Sequence, residues 1–407
     1  MKAGLASSRR FVLVLGLLTG VAALAIDMSL PSIPEMVHSL ATDMSTGQQV
    51  ISLFMVGVGL GQLPAGFLSD RYGRLPVLYV GFVTFTAASI ATSLSNHIEI
   101  VLAARLFQGF GAAVGVVITR AIVRDVASGK QMARLMSVMV MIFTATPMIA
   151  PIIGSYVTTY FGWRMTYVAM AIFGGVMLIC INTVLRETHV PVHEHHIVRQ
   201  LGLSLKEFFS HRQSVFGMLL VMLPAIGFIS MITTSAALII DVFSVPAQYF
   251  GYIFAISGIG ILTGSSLNSK LLHRFGILQL TGVGAAIIGI AAAQLLVIAW
   301  LGQASLWWIW GNASLFMVGT GFVLPNATAL ALDPVPKIAG TASSLVTALQ
   351  NLAGSLGSFA AAIIYDGSIS RIVIILGLSG AATAILFFFF RHAILGDKPL
   401  HVSDDDA

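Results

Sequence analysis

The sequence predicts an all-α membrane protein of twelve transmembrane helices, arranged as two pseudo-symmetric six-helix bundles. Three observations carry that prediction. The first is composition: of 407 residues, 57% are hydrophobic and 9% charged, where a soluble domain carries about 25% charged residues. With a mean hydropathy of +0.94, the chain needs the bilayer as its solvent. The second is that uncharged runs long enough to cross a hydrocarbon core of ~30 Å recur along the whole length. The third is the distribution of the 21 Lys and Arg. Only Arg164 and Arg371 fall in the loops of one side, and Arg105 and Arg120 fall inside a run; the others lie on the opposite side. Basic residues collect in cytoplasmic loops, so both termini are expected inside the cell, with the chain in the inner membrane.

In chain order the predicted spans are 11–32, 48–68, 76–95, 100–122, 135–158, 164–185, 214–240, 248–270, 277–299, 306–331, 339–364 and 369–391. The paired Arg9–Arg10 and the small residues at Ala23–Ala25 resemble a cleaved export signal. The apolar run, however, continues past them to Leu30, which makes it a span. The polar breaks SNHIE (Ser95 to Glu99) and YDGSISR (Tyr365 to Arg371) separate spans three from four and eleven from twelve. The longest polar segment divides the chain into an N-terminal bundle (1–185), a cytoplasmic central loop (186–213) and a C-terminal bundle with a short tail (214–407). That loop holds His193, His195 and His196, but no cysteine or paired carboxylate accompanies them, so a solvated loop is expected and no metal site. The final VSDDDA reads as a solvated tail.

Several functions are excluded. The pI near 9.5 would suggest nucleic acid in a soluble protein; here the basic loops account for it. The single cysteine, Cys180, permits no intrachain disulfide. No phosphate-binding G-x-x-x-x-G-K-S/T loop is present, so ATP is not expected to drive the protein. No span carries a His/Asp/Glu cluster suited to metal or acid–base catalysis, so neither an enzyme nor a cofactor is expected.

One charge breaks this pattern. Asp27 lies within GVAALAIDMSLPSIP (Gly20 to Pro34) and is the only acid well inside a predicted span; Asp241 and Asp333 fall at span ends, and Glu35 and Asp43 in the first outer loop. A carboxylate in hydrocarbon costs several kcal/mol and marks an ion or substrate pathway. It can carry a proton, pair with a cationic substrate or do both by competition; a packing role in the bend near Pro31 and Pro34 is the alternative. Arg105 enters the fourth span at a similar depth. Either it pairs with Asp27, or it bonds backbone carbonyls and fixes helix packing.

The loop after span two, GFLSDRYGR, places Gly66, Asp70, Arg71, Gly73 and Arg74 in a G-x-x-x-D-R-x-G-R pattern, and HRFG (His273 to Gly276) repeats part of it half a chain later. This pattern on a twelve-span background resembles the signature of the major facilitator superfamily, as does R-x-x-Q-G-x-G from Arg105 to Gly111. Arg124 and Asp125 end span four close to that loop, and the five charges 70, 71, 74, 124 and 125 are expected to form a cytoplasmic conformational switch. TPMIAPIIGSY resembles the G-P-x-x-G-G motif of proton-driven exporters, retaining Pro151 and Gly154 while Ala150 and Ser155 replace glycines; FGWR (Phe161 to Arg164) also resembles these exporters. IDMSLPSIP, TRAIVRDV and GTASSL are similar to the Bcr/CflA-like drug:proton antiporter branch.

The resemblance implies a proton-coupled exporter of small, partly apolar toxic compounds that works by alternating access. Its partners would be a small-molecule substrate, protons and the lipid bilayer, with the monomer as functional unit. Asp27 and Arg105 would couple proton or substrate movement. Met28, Phe228, Thr233, Phe316 and Asn326 are candidate cavity residues. The alternatives are a narrow-specificity metabolite, sugar or siderophore carrier on the same fold, a membrane enzyme, and a non-transporting receptor.

Overall fold

The computed structural model describes residues 8–189 and 197–395; His193, His195, His196 and the VSDDDA tail lie outside the described residues. Its helices are α1 (Arg9–Asp27), α2 (Ile33–Ser39), α3 (Met44–Tyr72), α4 (Arg74–Leu94), α5 (Ile98–Val126), α6 (Gly129–Phe161), α7 (Trp163–Val184), α8 (Ile197–Ser210), α9 (Arg212–Ala236), α10 (Ala247–Leu271), α11 (Ile277–Leu301), α12 (Leu306–Leu332), α13 (Ala339–Ile364) and α14 (Ile369–Leu395). No strand occurs among the described residues. Among the described residues, eleven spans are long and apolar enough to cross a membrane. α3 makes a twelfth when its arms, Met44–Gln62 and Pro64–Tyr72, bent by 42°, count as one. Pro64 supplies a cause for that bend, because it donates no backbone hydrogen bond and its ring crowds the preceding turn.

The helix ends match the sequence expectation to within a few residues, with three informative exceptions. The first span runs on to Ser39 as α1, a 3₁₀ turn (Leu30–Ser32) and α2. Pro31 and Pro34 break the regular helix there, because neither can donate to the carbonyl four residues earlier, and two serine hydroxyls add bonds to carbonyls around the break. Ser29 Oγ donates to the Ile26 carbonyl (2.8 Å) and Ser32 Oγ to the Ser29 carbonyl (2.7 Å). The seventh span widens into a π turn over Ala237–Val242. The central segment is not wholly loop: it contains α8, whose Phe208 is buried while Leu203 and Phe209 are exposed.

The chain packs as two compact units. One contains Met1–Ile197, Ile232–Ala255 and Ser358–Gly367; the other contains Val198–Met231, Ile256–Gly357 and Ser368–Ala407. In the first, α3 and α4 pack on α5, α4 on α7 and α1 on α6. The α3–α5 contact is made backbone to backbone: a Cβ on Gly57 would strike the Leu106 carbonyl, and one on Gly109 the Phe54 carbonyl. Without a hydrophobic drive between helices in lipid, such close approach supplies much of the packing energy. In the second unit α11 packs on α12 and α14.

Candidate functional site

Asp27 ends α1 at the proline break. It is only 4% exposed and is the one buried acidic side chain among the described residues. No described donor or cation pairs with its carboxylate, and the ion pairs of Arg74 go to Asp70 and Asp125 instead. The next residue, Met28, is also buried, and the α6 backbone comes directly against its carbonyl at Gly154, where a Cβ would collide. The glycine retained in TPMIAPIIGSY is therefore the residue that lets α6 reach the chain beside Asp27. Pro151, one turn earlier, faces Gly251 at the start of α10.

Arg105 is fully buried but is not paired with Asp27. Its guanidinium donates to the carbonyls of Val50 (3.1 Å) and Ala25 (3.3 Å), to Ser29 Oγ (3.3 Å) and to Gln108 Oε1 (2.6 Å). It also lies over the Phe54 ring, 4.4 Å from its centroid. Gln108 passes the network on to Ser89 Oγ (2.7 Å). The separation of Arg105 from Asp27 follows from helix rotation: Ala25 and Ser29 are four residues apart on one face, and Asp27 lies about 200° around from Ala25.

The GFLSDRYGR turn is built around Arg74. Gly73, at φ +97° and ψ +161°, is the N-cap of α4. Arg74 is only 5% exposed. It bonds Ser69 Oγ (2.8 Å), pairs with Asp70, and reaches Asp125 at 2.9 Å from α5. Arg71 instead lies over the Tyr72 ring (5.3 Å), and the exposed Arg124 makes no ion pair among the described residues. Gly66 is not held by a tight approach, since a Cβ there would meet only Val117 at 3.6 Å.

Sequence reasoning missed the segment that completes this turn, Glu187–His189. Glu187 accepts from the N–H groups of Arg74 and Leu75, both at 3.0 Å. Thr188 Oγ1 donates to Asp125 (3.0 Å), and His189 Nε2 meets the Asp70 carbonyl (3.1 Å). Burial pushes the Glu187 carboxyl up, but the backbone donors of Leu75, Arg74, His189 and Thr188 outweigh it and hold the group below its ordinary value.

The remaining candidates divide. Thr233 Oγ1 and Ser52 Oγ each lie 2.6 Å from Ser358 Oγ, a hydroxyl chain joining α3, α9 and α13 within the first unit. One turn before Ser52, Gln48 is fully buried with neither amide atom partnered, and nothing in the local sequence marked it. In the second unit Asn326 exchanges amide bonds with Asn268 (2.7 and 3.5 Å). Phe316 is fully buried against Gly380, and Phe228 is half-buried.

Known proteins place this architecture. The chain is 28% identical to a "Bicyclomycin resistance protein homolog" of Haemophilus influenzae, over 88% of this chain and 90% of that protein. It is 28% identical to "Multidrug resistance protein D" of Escherichia coli, over 90% and 93%. Its fold matches the crystal structure of a D-xylose-proton symporter with a TM-score of 0.74 at 17% identity, over 94% of this chain and 98% of that one. The family model described as Major Facilitator Superfamily matches residues 15–358. A chain matched over that length, with these spans, belongs to the Major Facilitator Superfamily.

Proposed function

We propose that the protein is a proton-coupled exporter of small, partly apolar toxic compounds, working by alternating access as a monomer in the inner membrane, with both termini cytoplasmic. The relatives named for bicyclomycin and multidrug resistance support the substrate class. The single observation that carries the mechanism is Asp27: a buried acid at a helix break, without donor or cation, beside the Met28 carbonyl on which Gly154 of α6 closes. A carboxylate so placed holds a proton while it is shielded from water. It releases the proton when the helices around it part and water or a cation reaches it. Moving between those surroundings, Asp27 carries protons inward as substrate leaves. Arg105 acts on this site indirectly, by fixing the Ala25–Ser29 segment that carries Asp27.

The test is transport in cells stripped of their own exporters. Wild-type protein should protect against several chemically unrelated toxic compounds, and Asp27→Asn should abolish both the protection and ΔpH-driven antiport while the protein stays in the membrane. Unchanged coupling in Asp27→Asn overturns the role of Asp27. No protection by well-inserted wild type would instead indicate a carrier dedicated to one metabolite.

A further inference from the structure

No residue of FGWR was given a role in the coupling mechanism above, yet its turn repeats the geometry of the GFLSDRYGR turn at the far end of α4. Tyr72-Gly73-Arg74 joins α3 to α4; Phe161-Gly162-Trp163-Arg164 joins α6 to α7. Gly162 is the N-cap of α7 at φ +82° and ψ +164°, nearly the backbone of Gly73. A distant glutamate stands at each helix start: Glu187 accepts from the N–H groups of Arg74 and Leu75, and Glu35 Oε1 lies beside Gly162, 3.3 Å from where a Cβ there would sit. Each turn also sends one arginine to neighbouring helix ends. Arg164 bonds Asn96 Oδ1 (2.8 Å) and the Ser95 carbonyl (3.0 Å) after α4, and Ser39 Oγ (3.3 Å) at the end of α2. Its guanidinium covers the Trp163 ring at 4.3 Å.

This correspondence has a structural reason. Within a six-helix half of this superfamily, spans 1–3 and 4–6 are inverted repeats. Inversion places the turn between spans 5 and 6 where the turn between spans 2 and 3 stands, on the opposite membrane face. The FGWR turn also holds the end of α6 that meets α10. Ser155 Oγ accepts from the Gly251 N–H (3.1 Å), and the Tyr156 and Tyr252 hydroxyls lie 3.0 Å apart. Thr158 and Thr166 hydroxyls, 3.3 Å apart, tie α6 to α7 across the turn. Beside it, a cavity of about 410 Å³ is lined by Glu35, Thr158, Gly162 and, from the segment entering α10, Pro246 and Gln248.

We propose that Arg164, with Glu35, Ser39, Ser95 and Asn96, is an outer latch. It positions the end of α6 that closes on α10, and its release admits water from outside. Arg164 is a positioning residue: it acts through α6 and touches no substrate. The proposal rests on the exporter reading only for sidedness.

Outer access is read in intact cells with a membrane-impermeant maleimide and a cysteine at Ser358→Cys, buried in the Ser52–Ser358–Thr233 seam, in a Cys180→Ser background. Neither substrate nor proton gradient is needed, so the latch can fail while the exporter reading stands, and the reverse. Arg164→Ala should raise the labelling rate about tenfold, the shift expected when one charge-assisted hydrogen bond leaves a two-state balance. Arg164→Lys should fall between parent and Ala, and Asp70→Asn should not raise labelling. Labelling of Arg164→Ala equal to the parent overturns the proposal, as does an increase seen only in inside-out vesicles. Should Arg164→Ala be lost from the membrane, Ser39→Ala combined with Asn96→Ala removes two of the acceptors, and unchanged labelling there overturns it equally.

Discussion

The turns at 72–74 and 161–164 share a glycine N-cap, a distant glutamate beside that glycine and one arginine, but they differ in what the arginine holds. Arg74 holds two carboxylates, Asp70 and Asp125. Arg164 holds two neutral side chains and a carbonyl. The difference lies in what each arginine leaves behind when it lets go. Carboxylates stranded at a part-buried helix end are costly, whereas amide and carbonyl oxygens near an aqueous surface are satisfied by water. The first turn should therefore resist opening, and the proposed latch at the second should open with little penalty.

The largest test of this contrast is Arg74→Ala. Turnover should fall roughly tenfold or more, equivalent to ~1.4 kcal/mol or more in the barrier, with little change in substrate affinity. Arg74→Lys should restore little, because one ammonium cannot reproduce a guanidinium that bonds Ser69, Asp70 and Asp125 together. Kinetics in vesicles separate the two parameters. A full rescue by lysine would show that only charge matters at this turn.

A smaller effect compares the glycines. Both occupy a backbone region essentially reserved for glycine, where other residues lose about 1–3 kcal/mol. A Cβ on Gly73 would also lie 2.8 Å from Glu187 Oε2, whereas one on Gly162 would lie 3.3 Å from Glu35 Oε1. Gly73→Ala must displace its glutamate and Gly162→Ala need only crowd its own, so the detergent melting temperature should drop for both and further for Gly73→Ala. Equal drops would mean that backbone strain alone sets the loss.

The span pattern was readable because the bilayer imposes it: length and the absence of charge set the helices before any tertiary contact forms. Rotation about each helix axis was not readable. Depth put Arg105 level with Asp27, but the register of Ala25 and Ser29 turned the arginine toward carbonyls. The Glu187 cap was hidden for another reason. Glu187 lies 113 residues from the N–H that it accepts, so no local pattern announces it. The nearest signal was the recurrence of aromatic-Gly before an arginine at Tyr72 and Phe161, which marks two related turns without naming their partners. α8 was within reach, since apolar Ile197, Leu201, Leu205 and Phe208 recur at helical spacing.

The smallest effect concerns Glu187 itself. Its carboxyl titrates below the ordinary glutamate value of 4.5, because the charged form collects backbone donors at the start of α4. A depressed carboxylate contributes stability that is complete above the unfolded-state value and is lost as pH falls through the folded one. The cap is therefore intact throughout pH 6–8, and no pH dependence of transport in that range comes from it. Glu187→Gln keeps an acceptor but removes the charge, and should cost on the order of 1 kcal/mol at pH 7, as for loss of an N-cap. Hydrogen exchange at the Arg74 and Leu75 amides should then quicken about fivefold, and it should converge with wild type only below the depressed value. Convergence at pH 6 instead would mean that a group other than Glu187 governs this turn.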